Sequence, residues 1–204
     1  MTQALTADLA APKYRWTPER FVRAWEAGVF DGERVELLDG EVVPVQIGPW
    51  HAETTMLAVE LLPGREGGTV KSNATLPSGS SLPDPDIWVR RADAKTKKHH
   101  SKLLASWDPA DVLLVIEVSN TTRAIDLGFK AQLYGSSGYP EYWVVTPEKV
   151  YAHREPYATG YRTRVEYTPG QQIPVPYAPG QTVDVGELLS VEADGSGDDH
   201  ELGR

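Results

Sequence analysis

The chain contains no cysteine. That excludes disulfides, thiolate zinc sites and cysteine nucleophiles, and it fits a reducing cytoplasm. No apolar run approaches the roughly 20 residues a membrane span requires, so no membrane partner is expected. The opening segment, MTQALTADLAAPKYRW, lacks the basic start and continuous apolar core of a signal peptide. A positive charge balance is missing too. The formal net charge is -9, which taken alone argues against a nucleic-acid partner. No internal repeat is visible, and no obvious element reads a base sequence.

What is present is ordinary in bulk and uneven in detail. A length of 204 residues suffices for one well-filled core. Hydrophobic content of 40% and charged content of 24% are those of a typical globular domain. Residues 184–204 carry seven acids against one arginine. Residues 87–103 carry Arg90, Arg91, Lys95, Lys97, Lys98 and Lys102 against Asp93 alone. The acidity is therefore concentrated in the tail. The basic run reads either as a solvated loop or as a DNA-contacting patch formed by Arg90, Arg91, Lys95, Lys97 and Lys98.

Residues 1–13 read as a flexible start, 14–190 as one domain, and 191–204, acidic and rich in Gly and Ser, as a disordered tail. Thr17-Pro18 opens a helix that turns Phe21, Val22 and Trp25 to the core and ends at Gly28. ERVELLDGEVVPV reads as a hairpin around Asp39-Gly40. Residues 50–62 read as a helix carrying Met56, Leu57, Val59 and Leu61, stopped by Pro63. Residues 68–76 read as a strand, and a turn-rich connection leads to a strand beginning at Ile87. The segment up to Ser106 reads as a loop or a short helix. Residues 112–118, almost wholly apolar, suit a strand covered on both faces. A helix over 123–134 and a strand over 141–145 follow. This strand–helix–strand crossover makes its two strands parallel neighbours. Short β-prone pieces at 149–154, 161–167 and 182–185 suggest an antiparallel edge, and 185–189 one helical turn. The fold class is α/β, a mixed central sheet flanked by helices with antiparallel β-hairpin extensions.

Two acids stand out within the apolar strands. Asp86 enters one after Pro83-Asp84-Pro85, and Glu117 stands near the end of another. A carboxylate in such a run is costly to bury unless it is paired or binds a cation. If both lie at the same end of adjacent strands, their oxygens converge. Two hard ligands with open positions suit Mg2+ or Mn2+, and the Val118 backbone carbonyl offers a third. Such an ion activates water and polarises a phosphoryl group. Lys130, on the following helix, would stabilise the charge that builds on the phosphate. Each residue also has a plain structural reading. Asp86 could cap a strand, Asp84 serve a turn, Glu117 form a buried ion pair with Lys130, and Lys130 sit on the surface. His51 could simply open a helix. Glu36 could be an exposed strand acid or a member of the site. Tyr134, Tyr142 and Trp143 read as packing.

The order of these residues resembles a known family. The string is Glu-Leu-Leu-Asp-Gly-Glu (36–41), a His-led helix (His51), Pro85-Asp86, Ile-Glu-Val-Ser-Asn-Thr-Thr (116–122), then Asp126, Lys130, Tyr134 and Gly-Tyr-Pro-Glu-Tyr-Trp-Val-Val (138–145). It is similar to the Uma family of restriction endonucleases, a branch of the PD-(D/E)xK nuclease superfamily, over about residues 17–189. The resemblance implies a restriction-endonuclease-like core and metal-dependent hydrolysis of DNA phosphodiesters. Asp86 would be the Pro-Asp acid, Glu117 the second acid, and Glu36 and His51 accessory positions. The superfamily lysine usually stands two places after the second acid. Here that place is Ser119, and the family pattern implies that Lys130 reaches back instead.

The chain is thus expected to be a Mg2+- or Mn2+-dependent DNA endonuclease in the cytoplasm. Such an enzyme would act as a homodimer where both strands are cut. The competing reading is a catalytically inactive nuclease-like module for binding or assembly, favoured by Ser119 and the net acidity.

Overall fold

The computed structural model describes residues 14–64, 68–101 and 104–192. Residues 1–13, Lys102 and residues 193–204 lie outside the described residues, and with them the expected flexible start and nearly all of the expected tail. Val191, read from composition as part of that tail, accepts a hydrogen bond from the Trp50 indole N–H at 3.2 Å.

Helix α1 (Pro18–Glu26) begins at Thr17, whose hydroxyl accepts the Arg20 N–H at 3.4 Å. It is closed by Gly28 at φ 76°. Phe21 and Val22 are its buried residues, and Trp25 is 37% exposed rather than in the core. Strands β1 (Val35–Leu38) and β2 (Glu41–Pro44) pair through Asp39 and Gly40. Both turn residues have positive φ, as the tight primed hairpin turn demands. In α2 (Pro49–Leu61) the buried residues are Trp50, Thr54, Thr55 and Ala58, while Met56 is 66% exposed. The buried stripe follows the four-residue spacing 50, 54, 58 and continues to Leu62. Thr54 falls on that stripe and Thr55 is buried beside it, while Val59 and Leu61 are half-buried against the same core.

Strand β3 (Gly68–Ser72) stops short of the expected end because Asn73 turns at φ 48°. Strand β4 (Ile87–Arg91) follows the turn-rich connection. Strands β5 (Lys98–His99) and β6 (Ala105–Ser106) form a short hairpin where the sequence left a loop or a helix open. A 3-10 turn (Pro109–Asp111) leads into β7 (Val112–Val118). The crossover helix has three pieces: α3 (Arg123–Ile125), a widened π turn (Asp126–Lys130) and α4 (Ala131–Ser136). Strands β8 (Glu141–Val145), β9 (Val150–Tyr157) and β10 (Gly160–Tyr167) complete the sheet. A small pair, β11 (Gln172–Pro174) with β12 (Thr182–Asp184), and α5 (Val185–Leu188) cover one face.

The sheet order is β10-β9-β8-β7-β4-β3. Only β7 and β8 run parallel; every other pairing is antiparallel. The fold is therefore the expected α/β arrangement, a mixed central sheet with helices and antiparallel hairpins. On one face α2, α5 and the β11–β12 pair bury Ile116, Val118, Trp143 and Val145. On the other, Ala131 and Tyr134 from α4 pack on Trp88, Val115, Tyr142 and Val144. Covering both faces explains why β7 shows no polar alternation, and each such side chain contributes roughly 1.5–3 kcal/mol by leaving water. The pairing of β4 with β7 slips between Val89 and Arg90, and Leu113 takes no partner in the ladder. Helix α4 lies so close to the β9–β10 turn that a Cβ at Gly135 would overlap the Gly160 carbonyl.

His153 on β9 is buried between the rings of Tyr142 and Tyr161, at 5.5 and 5.9 Å. Burial pushes its imidazole down to about 4 from the usual 6.5. A depressed folded value means the unfolded chain binds the proton more readily. The stability due to neutral His153 is therefore present above pH 6.5 and is lost as pH falls toward 4. Thermal melting against pH should show that acid loss reduced in His153→Gln.

Candidate metal centre and its carboxylate cluster

Asp86 and Glu117 are brought together by strand register. The chain Pro83-Asp84-Pro85 is extended because each proline disfavours the helical region for the residue before it. It delivers Asp86 just ahead of β4. Ile87 pairs with Ile116 in antiparallel order, so one further step sets Asp86 opposite Glu117 on the same face. That face is the one covered by the crossover helix. The π turn places Asp126 and Lys130 inward, and Tyr134 follows one turn later. Widened turns of this kind are rare and are frequent at functional sites.

Five charged side chains meet there: Glu36, Asp86, Glu117, Asp126 and Lys130, none more than 6% exposed. The Lys130 Nζ lies 3.0 Å from Glu117 Oε1, 3.2 Å from Glu36 Oε2 and 3.7 Å from Asp126 Oδ1. The Tyr134 hydroxyl donates to Glu117 Oε1 at 2.8 Å. Asp126 is itself fixed by the Thr122 hydroxyl, 2.6 Å from its Oδ2. Asp86 Oδ2 accepts the Val118 N–H at 2.7 Å and faces His51 Nε2 at 3.0 Å. Glu36 Oε2 also accepts the Asp84 N–H at 3.2 Å. The cluster lines a cavity of about 370 Å³, together with Val118 and the 120–122 loop.

Charge does not balance in this cluster. Four buried carboxylates share one ammonium, and burying an ionised group without compensation is costly. Burial pushes the Glu117 carboxyl well above its ordinary range; Lys130 opposes this, while Asp86, Asp126 and Glu36 reinforce it. Burial alone would pull Lys130 down, but Glu117, Glu36 and Asp126 outweigh it and hold the ammonium firmly charged. Burial and the Glu117 charge push the Tyr134 phenol up, so it stays a hydrogen-bond donor.

A divalent ion fits this donor set. Asp86 Oδ1 and Glu117 Oε2 have no hydrogen-bond partner among the described residues, and their second oxygens are already anchored. Both are hard oxygens of the kind Mg2+ and Mn2+ take. Among the described residues, no group of three or more His, Cys, Asp or Glu is arranged to hold a metal ion. Water, a phosphate or the Val118 carbonyl would have to complete the coordination.

Sequence reasoning named Asp86, Glu117, Lys130, Glu36 and His51, and all five line this cavity. Ser119, at the usual lysine position, is buried and contacts the Thr122 hydroxyl at 3.4 Å, while its N–H bonds Val145 O. Asp126 and Tyr134 were given no role in the site; their signal was the four-residue spacing 126, 130, 134 on the crossover helix. Asp84 was read as a turn acid. It lines the cavity too, tied to Arg34 at 2.8 Å.

The basic run begins at the end of β4 remote from Asp86. Arg90 and Arg91 stand at the far end of β4, so Arg91 is about 16 Å of strand from Asp86. Lys95, Lys97 and Lys98 lie beyond it. Arg91 is held by Asp111 at 3.0 Å and Lys97 by Asp108 at 3.5 Å. β4 carries the chain away from the acids, and the run begins with Arg90 and Arg91 at its end.

Residues 18–190 match the model of the Uma2 family, described as "Putative restriction endonuclease". The chain belongs to the Uma2 family. A crystal structure described as "a putative nuclease belonging to DUF820" from Anabaena variabilis ATCC 29413 is similar in fold. It has a TM-score of 0.61 at 14% identity, over 86% of this chain and 98% of that one. The Uma2 fold seen here is thus nuclease-like. No curated protein matches the chain. Among the described residues, no helix is long and apolar enough to cross a membrane.

A raised carboxyl binds its proton more tightly in the folded chain than in the unfolded one. Metal-free stability should therefore fall as pH rises above 4.5 through the folded value of Glu117. In Glu117→Gln, denaturant melts across that range should show a smaller fall. An unchanged slope would mean that Glu117 is not the strained acid.

Proposed function

We propose that the protein is a Mg2+- or Mn2+-dependent endonuclease that hydrolyses phosphodiester bonds in DNA, acting in the cytoplasm. The observation that carries this reading is the convergence of Asp86 and Glu117, each with one uncommitted oxygen, beside the Lys130 ammonium. Asp86 and Glu117 would hold the ion, with the Val118 carbonyl as a further ligand. When bound, the ion supplies charge neutralisation and an activated water.

The chain's own residues account for the remaining chemistry. Water attacks phosphorus and gives up one proton to solvent as the bond from phosphorus to one sugar oxygen breaks, that oxygen takes a proton from solvent, and negative charge builds on the phosphoryl oxygens. Lys130 offers a preorganised positive charge to those oxygens in a site shielded from water. Asp126 and Glu36 keep that amine charged and aimed. Tyr134 fixes one Glu117 oxygen so that the other faces the cavity. His51 and the Val118 N–H do the same for Asp86. A two-fold dimer would present two such sites to a two-fold duplex.

A second reading has its own support. Lys130 is engaged by three acids, which is what a purely structural buried ion network would show. The chain would then be an inactive module for binding or assembly.

Nicking of supercoiled plasmid with Mn2+ separates the two. The nuclease reading expects nicking, its loss in Asp86→Ala and Glu117→Ala, and a fall of about 10²–10³-fold in Lys130→Gln. Melting curves alongside would establish that each variant folds. Folded, metal-binding wild type that leaves every tested DNA form intact would favour the inactive module.

A further inference from the structure

A second, larger cavity of about 670 Å³ adjoins the metal centre, and Asp84 borders both. Its floor is the same face of the sheet. Asp86, Trp88 and Arg90 alternate along β4, and Lys71 on β3 stands opposite Trp88. The cavity therefore runs along β4 for about 13 Å, from beside Asp86 to Arg90. One wall is α1, with Trp25 37% exposed. Another is Trp107, whose ring packs tilted against Trp88 with centroids 5.0 Å apart.

Its charges are unlike those of the metal centre. Arg34 is satisfied by Asp84 and Asn73 at the junction. Lys71 has no hydrogen bond or ion pair among the described residues, and it lines the cavity half-buried. Arg90 donates one nitrogen to the Arg91 and Ala94 carbonyls, while its buried Nε has no partner. Lys71 and Arg90 thus stand beside the exposed Trp25 and the half-buried Trp107, and Glu33 and Asp84 are the acids of the same lining. Phosphate oxygens satisfy such donors, and bases stack on such rings. A rigid duplex keeps its bases stacked on one another, so it cannot offer both groups at once.

We propose that this groove holds an unpaired segment of DNA leading to the metal centre, its bases stacked against Trp107 and Trp25 and its phosphates held by Lys71 and Arg90. The inference rests on the nuclease reading for the identity of the ligand. It explains how an acidic chain engages nucleic acid with Arg90 alone of the basic run: contact is by stacking and a few placed cations.

The test is fluorescence anisotropy with a labelled single-stranded oligonucleotide of about 12 nucleotides in EDTA, where no cleavage can occur. The full chain should bind it more tightly than the same sequence as a duplex. Lys71→Glu and Trp107→Ala should each weaken binding at least about fivefold. Lys71→Arg should restore it, and Arg162→Ala, on the distant β10 strand, should leave it unchanged. Because Trp107 packs on Trp88, Lys71→Glu, on the edge strand β3, keeps the test available if Trp107→Ala does not fold. Equal or tighter binding of the duplex, or affinity unchanged in Lys71→Glu, would overturn the groove. Plasmid nicking separates the two ideas. Selective binding without nicking would leave the groove standing and sink the nuclease, while nicking with Lys71→Glu silent in binding would do the reverse.

Discussion

The Lys130 ammonium, buried among three carboxylates, is the interaction on which the rest of this structure depends. A lone amine at this depth would lose its charge to burial, and lone carboxylates would take up protons. Together they hold the Lys130 ammonium charged, while burial still pushes the Glu117 carboxyl up because the acids outnumber the amine. A well-paired buried network is often neutral for stability compared with an apolar core, so balance alone gives little reason to keep one. A surplus of buried negative charge gives still less. A cation bound as proposed would supply a reason, since it would lower the very charge that folding leaves uncompensated.

The fold serves that arrangement in two ways. The antiparallel step between β4 and β7 sets two acids opposite each other, and the crossover from β7 to β8 returns a helix over them. The widened turn at Asp126–Lys130 then brings the amine inward. Hydrogen bonds from Tyr134, His51 and the Val118 N–H fix one oxygen of each strand acid. That division leaves one fixed oxygen and one uncommitted oxygen on each acid, as a site for a hard ion requires.

Much of this was legible in the sequence, and the reasons differ by element. The apolar run 112–118 and the crossover after it gave away the sheet, because a strand buried on both faces has few other compositions. Asp86 and Glu117 were visible as charges out of place. Tyr134 and Asp126 were not, because an aromatic on a helix reads as packing and an acid on one reads as surface. Their shared spacing with Lys130 becomes informative only once the helix face is known. The burial of Thr54 and Thr55 on α2 was not legible, because a threonine fills a core-facing position without an apolar signature. The distance of the basic run from Asp86 was not legible, because a short step in sequence becomes a long one in space when the residues between form a strand. Ser119 was a true departure from the superfamily spacing, and the helix that follows supplies an amine in space that the strand does not supply in sequence.

The central claim is that Asp86 and Glu117 share one hard divalent ion beside Lys130. Crystals soaked in Mn2+ and measured for anomalous scattering test it most directly. The account predicts one strong peak in the cavity, with Asp86 Oδ1 and Glu117 Oε2 both about 2.1 Å away. No peak at saturating Mn2+, or a peak bound by only one of the two acids, would contradict it.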